Sequence, residues 1–134
     1  MAVLDASVYV ALVNKNEAHH ERSWAWFQQV QSAQEPITAP VILLAEVASA
    51  LSRGTDNPQL TQQVIQHLFS TNIITLIPIT ITLGQQAAQI AADHKIRGCD
   101  AIYVALAQQL DDYLITLDNQ QYTRGASIID TRRP

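Results

Sequence analysis

Short apolar segments alternate with longer amphipathic segments along the chain. The short segments have the composition and length of buried strands. They span residues 2–4, 37–39, 73–77 and 113–116. The longer segments place apolar residues at helical spacing and predict helices. These cover residues 7–13, 18–30, 41–52, 59–69, 83–94 and 100–110. We predict a last edge strand over residues 127–129 and a frayed tail over residues 132–134. Strands that alternate with helices indicate an α/β fold, in which a parallel sheet is covered on both faces.

Capping residues and helix breakers mark the ends of several predicted helices. Pro40 suits the first turn of the helix over residues 41–52, and Gly54 suits its C-terminal cap. Asn57, which precedes a proline, is a typical start for the next helix. Thr82 is placed to cap the helix that follows the third strand.

Composition indicates one globular domain, residues 1–134, in a reducing compartment. Hydrophobic residues make up 48% and charged residues 15% of the chain, which argues against disorder. We expect the single cysteine, Cys99, and the helical stripe of Trp24, Phe27 and Val30 to pack in the interior. No apolar stretch is long enough for a bilayer, and the N-terminus lacks a signal-peptide pattern, so we expect a cytoplasmic protein without membrane contact. The net charge of −4 argues against nucleic-acid binding through a broad basic surface, although a metal ion could supply positive charge instead.

Four acidic residues stand out against these apolar segments. Asp5 and Asp118 come directly after the first and fourth strands, and Asp100 heads an apolar helix. Because right-handed crossovers bring the carboxyl ends of parallel strands to one edge of the sheet, we expect these aspartates to meet there. Glu46, the only charge in the helix over residues 41–52, is expected to reach the same place. Taken singly, each aspartate is equally well explained as a helix N-cap, and Glu46 could reach solvent or pair with an arginine.

Four carboxylates in one pocket would call for a cation. Two carboxylates about 5 Å apart repel each other by roughly 3 kcal/mol at an effective dielectric constant of about 20. They would therefore raise each other's pKa values or bind a positive ion. Mg²⁺ or Mn²⁺ suits an oxygen-only ligand set, whereas the chain has no Cys/His spacing typical of zinc. Such an ion activates water and neutralises phosphate charge, so the set is typical of phosphodiester hydrolysis.

A receiver-like signalling or binding module is an alternative from another functional class. It would use one strand-end aspartate as a phosphoacceptor. That hypothesis does not require Glu46 inside an apolar helix, and the residues around Thr116 lack the lysine such a module usually carries. The chain also contains neither a Gly-rich phosphate loop nor a Gly-x-Ser-x-Gly nucleophile elbow.

Four motifs of the chain, taken in order, resemble the PIN-domain family. They are Leu4-Asp5-Ala6-Ser7, Leu44-Ala45-Glu46-Val47, Cys99-Asp100-Ala101-Ile102-Tyr103-Val104-Ala105-Leu106-Ala107 and Leu114-Ile115-Thr116-Leu117-Asp118. Within that family the chain is similar to the VapC-like toxin ribonucleases of bacterial toxin–antitoxin modules. The resemblance implies a three-layer α/β/α sandwich with a central, mostly parallel sheet of about five strands. It also implies Mg²⁺- or Mn²⁺-dependent cleavage of single-stranded RNA, a homodimer, and inhibition by a small antitoxin.

The resemblance further implies roles for individual residues. Those that match the family's acidic quartet, and would bind the metal and carry catalysis, are Asp5, Glu46, Asp100 and Asp118. Ser7 and Thr116 match its hydroxyl positions, which would orient the carboxylates or a bound water. Asn119 stands where some relatives carry another acid. A PIN-like domain that only binds a partner is a further alternative, and the intact acid set argues against it.

Basic residues near the motifs are candidates to contact RNA, with ordinary surface charge as the alternative explanation. They are Arg53, Lys95, Arg97 and Arg124. The helix faces around Leu60 and Trp24 are candidates for a dimer interface.

Overall fold

The computed structural model describes residues 1–134 and contains five β-strands and seven α-helices. The strands are β1 (Ala2–Leu4), β2 (Ile37–Pro40), β3 (Ile74–Ile77), β4 (Tyr113–Ile115) and β5 (Thr131–Arg132). The helices are α1 (Ala6–Val13), α2 (His20–Ser32), α3 (Leu43–Thr55), α4 (Pro58–Ser70), α5 (Ile81–His94), α6 (Gly98–Leu110) and α7 (Asn119–Gly125). No helix combines the length and the apolar character needed to cross a membrane.

All five strands form one parallel sheet in the order β3-β2-β1-β4-β5. The chain moves outward from β1 to β3 and then returns to the other side of β1. Right-handed crossovers therefore place α1 to α4 on one face and α5 to α7 on the other. The packing of α1 against α2 and α3, and of α6 against α5 and α7, agrees with this division. The structure confirms the predicted α/β/α sandwich around a five-stranded parallel sheet.

Helix α6 and strand β1 form the centre of the core. All three residues of β1 are inaccessible to solvent, and α6 is buried from Tyr103 through Ala107. Helix α6 lies across β1, β2 and β4, which explains why its sequence is apolar on nearly every side. The first turn of α6 thus reaches the carboxyl ends of the two central strands.

Three predicted helix boundaries are wrong by a few residues. Pro40 ends β2 rather than beginning a helix, which is a position that strands tolerate for proline, and the N–H of Val41 just beyond it donates to the Ile77 carbonyl at 2.9 Å. Gly54 lies inside α3, which ends at Asp56 in the left-handed region with φ 50°. Helix α5 is capped by Thr80, not Thr82.

The predicted last strand is also wrong. Residues 127–129 form a turn in which the N–H groups of Ile128 and Ile129 both donate to the Gly125 carbonyl. The edge strand is β5, whose neighbour Asp130 accepts from the N–H of Leu114 at 2.9 Å. The C-terminal residues are therefore held by β4 rather than frayed.

Two residues expected in the interior are exposed. Trp24 is 45% exposed because α2 buries a different face, on which Ser23 and Val30 lie. Cys99 is exposed as well, since it sits about 100° around α6 from the buried Asp100.

Candidate active site

A cleft of about 420 Å³ opens at the carboxyl ends of β1 and β4. These adjacent strands have connections that leave in opposite directions, and such a switch point is where open α/β sheets bind ligands. The cleft is lined by all four acids singled out in the sequence: Asp5, Glu46, Asp100 and Asp118. They come from four separate chain segments and share one surface concavity.

Asp5 is the most enclosed of these carboxylates, at 4% exposure. It caps α1, and its Oδ2 accepts hydrogen bonds from the backbone N–H and the hydroxyl of Ser7. The hydroxyl of Thr116 lies 3.1 Å from the same oxygen. Ser7 Oγ in turn accepts from the N–H of Leu117 at 3.0 Å, which ties the end of β4 to the start of α1. The two hydroxyl residues therefore fix the position of Asp5.

Asp118 is held by a buried network centred on Gln121. Its Oδ1 accepts from the Gln121 N–H at 2.7 Å, and its own N–H donates to Thr116 Oγ1 at 3.0 Å. The Gln121 side chain, 1% exposed, donates to the Asp100 carbonyl at 3.2 Å. Its Oε1 is 2.7 Å from Thr116 Oγ1. The sequence prediction missed Gln121, although an aspartate three residues before a glutamine is the spacing of a capping box.

Glu46 enters from the first turn of α3 and faces a buried tyrosine. Its Oε1 is enclosed and has no hydrogen-bond partner. The hydroxyl of Tyr103, equally enclosed and without a partner of normal geometry, lies against the Glu46 carboxylate. The sequence prediction missed Tyr103 too, although it follows Asp100 by three residues and so shares its helix face.

Arg97 bridges two of the carboxylates. Its Nε donates to Asp100 Oδ2 at 2.8 Å, and its Nη2 lies 3.3 Å from Asp118 Oδ2. The Arg97 side chain is 69% exposed, whereas that of Asp100 is 11% exposed. The arginine thus covers the cleft from the solvent side.

Burial makes Asp5, Glu46 and Asp100 harder to ionise. It raises the pKa of Asp5 from 3.8 to about 6, with the charges of Asp100 and Glu46 adding to the rise and the bonds from Ser7 opposing it. Burial also raises the pKa values of Glu46 and Asp100, while Arg97 opposes the rise at both. Burial is the largest cause of the raised pKa at all three residues, so each is costly to ionise without a further positive partner.

The remaining candidate residues differ in whether they line the cleft. Arg53 lines the cleft, as does Glu17, which the sequence prediction missed because it lies in a polar turn with no distinguishing signal. Lys95 and Arg124 do not line the cleft, and the Arg124 guanidinium donates to the Lys95 carbonyl. Asn119 Oδ1 accepts from the Arg133 guanidinium and is likewise outside the cleft.

The residues of the cleft fit a hard divalent cation by their chemistry. No three acidic, histidine or cysteine side chains are drawn together closely enough to form a ready-made metal cluster. The donors are nevertheless all oxygens, which Mg²⁺ and Mn²⁺ prefer. The enclosed Glu46 Oε1 lacks a hydrogen-bond donor, and burial raises the pKa values of Asp5, Glu46 and Asp100, whose charged forms a cation would stabilise.

Comparison with solved structures shows the same fold in several proteins. VapC20 of Mycobacterium tuberculosis, a toxin that cleaves the sarcin-ricin loop, is 17% identical with a TM-score of 0.78, over 97% of this chain and 98% of that one. FitAcB of Neisseria gonorrhoeae is 19% identical with a TM-score of 0.74, over 98% of this chain and 96% of that one. VapBC2 of Rickettsia felis, bound to a DNA fragment from its promoter, is 14% identical with a TM-score of 0.74, over 99% of this chain and 98% of that one.

Comparison at the sequence level identifies the family. No curated protein matches the chain. The family model for the PIN domain matches residues 2–126, which include every acid of the cleft. The chain therefore belongs to the PIN domain family, as its motifs predicted.

Proposed function

We propose that this protein is a metal-dependent endoribonuclease that cleaves single-stranded RNA. The observation that carries the proposal is the convergence of four carboxylates on one cleft of a PIN domain, at the switch point of its sheet. A cleft lined by carboxylates repels an RNA backbone unless a cation is present, which supports dependence on Mg²⁺ or Mn²⁺.

Asp5, Glu46, Asp100 and Asp118 are the residues that would hold the ion. When bound, the ion would lower the pKa of a water molecule and offset the charge of the scissile phosphate. The hydroxyls of Ser7 and Thr116 keep Asp5 in place, and Gln121 does the same for Asp118. Glu46 lines the same cleft from α3, and its enclosed Oε1 accepts no hydrogen bond from the protein, so this oxygen is available as a ligand for the ion.

The other residues of the cleft support this function over the alternatives. No lysine lines the cleft, so the receiver-like hypothesis has no observation in its favour. Arg53 and Arg97 are the two cations at its rim and are the candidates to contact the RNA phosphates. A domain that only binds a partner would not need four acids in a shared cleft.

We further propose that the enzyme is the toxin of a toxin–antitoxin pair, restrained by a small antitoxin and assembled as a homodimer in the cytoplasm. The fold that this chain shares with the toxin VapC20 supports this proposal. Expression of the chain in a bacterial host should arrest growth, and co-expression of the neighbouring small reading frame should relieve the arrest. Light scattering of the purified protein measures its oligomeric state.

Cleavage of end-labelled single-stranded RNA by the purified protein tests the nuclease proposal. We expect fragments with Mg²⁺ or Mn²⁺, and none with EDTA or with Asp100→Asn. Asp93→Asn is the matched control, because Asp93 is exposed and its carboxylate accepts only from the Gln89 side chain. Equal cleavage by wild type and Asp100→Asn, each purified to homogeneity, would exclude the carboxylate mechanism.

A further inference from the structure

We propose that Arg97 is an internal counter-cation, which holds Asp100 and Asp118 together and competes with a divalent metal ion for their oxygens. This inference rests on the proposed function, since it takes these carboxylates to be metal ligands. It assigns Arg97 a role in positioning the site that is separate from any contact with RNA.

The geometry of Arg97 carries the inference. Its guanidinium reaches two carboxylates that are 18 positions apart in the chain, one in α6 and one at the start of α7. Both contacts use Oδ2 atoms, and Oδ1 of Asp118 is engaged by the Gln121 N–H. The oxygens that Arg97 occupies are thus among those a metal ion would need.

The exposed position of Arg97 allows a metal ion to replace its guanidinium at the two carboxylates. Its side chain is 69% exposed, so its guanidinium can return to solvent without leaving an unpaired charge in the core. A divalent ion between the same carboxylates would be repelled by a guanidinium that stayed in place. Binding of the ion and pairing with Arg97 therefore exclude each other at these two oxygens.

Arg53 supplies an internal comparison. It is also an arginine that lines the cleft, yet it forms no ion pair with any carboxylate. A substitution at Arg53 removes the same charge from the same cleft without freeing a carboxylate. Comparing substitutions at Arg97 and Arg53 therefore distinguishes competition for the carboxylate oxygens from the general effect of a positive charge on metal binding.

Calorimetric titration of the metal-free protein with MnCl₂ tests the inference. Arg97→Gln should bind Mn²⁺ about three- to tenfold more tightly than wild type, the range expected when one or two exposed ion pairs no longer compete. Arg53→Gln should change the affinity by less than about twofold, because it breaks no ion pair. Arg97→Lys, which keeps the charge, should bind Mn²⁺ with an affinity closer to that of wild type.

Thermal unfolding in EDTA gives a second readout that does not depend on activity. Without Arg97 the two carboxylates repel each other, so Arg97→Gln should melt at a lower temperature than Arg53→Gln. A variant that binds metal more tightly while its metal-free form is less stable has the signature of an internal competitor.

The outcomes separate this inference from the proposed function. Unchanged or weaker Mn²⁺ binding by Arg97→Gln, with clear binding by wild type, would overturn the competitor role and leave the nuclease proposal intact. Absence of Mn²⁺ binding in wild type, Arg97→Gln and Arg53→Gln alike would remove the metal site, and this inference with it.

Discussion

Replacing Asp5 by asparagine should stabilise the metal-free protein above pH 7 while abolishing cleavage. The carboxylate is 4% exposed, and burial raises its pKa from 3.8 to about 6. Ionising it in the folded protein is therefore unfavourable. An asparagine keeps an acceptor for the Ser7 N–H and carries no charge.

The sign and the magnitude follow from proton linkage. Between pH 3.8 and about 6 the folded protein binds more protons at Asp5 than the unfolded chain does, so the free energy of unfolding falls as pH rises through this window. At about 1.4 kcal/mol per pH unit, the rise from 3.8 to about 6 costs the wild type about 3 kcal/mol above the window and nothing below it. The asparagine variant does not carry this cost.

Urea unfolding followed by tryptophan fluorescence in EDTA measures the effect. The difference in unfolding free energy between Asp5→Asn and wild type should grow by about 2.5 kcal/mol from pH 4 to pH 7.5, because a small part of the cost is already present at pH 4. Asp93→Asn, at an exposed position, should show no such growth. In saturating Mg²⁺ the wild type should instead be the more stable of the two proteins, because the ion binds and stabilises the folded wild type but not Asp5→Asn. A difference that stays constant across the pH range would refute the assignment of buried charge to Asp5.

Two further substitutions test the residues that the sequence prediction missed. Tyr103→Phe removes a buried hydroxyl that has no hydrogen bond of normal geometry. It should therefore raise the unfolding free energy of the metal-free protein by about 1 kcal/mol or leave it unchanged, as measured by urea unfolding. A fall in the unfolding free energy of more than about 1 kcal/mol would show that the hydroxyl is already hydrogen-bonded. Gln121→Ala removes bonds to Thr116 and the Asp100 carbonyl, so it should lower the unfolding free energy by about 1–3 kcal/mol and slow RNA cleavage more than Asp93→Asn does. Full cleavage activity in Gln121→Ala would show that the network does not position the carboxylates.

The sequence by itself determined the class of fold and the place of the acids. Strand β1 and residues 101–107 of helix α6 are apolar because both are buried on nearly all sides, and such runs are visible without coordinates. The alternation of strands with helices implies parallel pairing and right-handed crossovers. Asp5 directly follows β1 and Asp118 lies three residues beyond the end of β4, so the rule for crossovers was enough to place them at one edge of the sheet.

Only the tertiary structure decided the features that depend on partners far away in the chain. Strand β5 has no apolar pattern, since its side chains are threonine and arginine, and it exists through backbone bonds to β4. The exposure of Trp24 depends on which face α2 turns toward α1, which helical spacing alone does not decide. The pairing of Arg97 with Asp118 and the enclosure of Gln121 arise where α6, β4 and α7 meet. Local sequence patterns specify which helices and strands form, because the spacing of apolar residues reflects the average burial of a segment. The partners of individual side chains depend instead on how distant segments of the chain pack together.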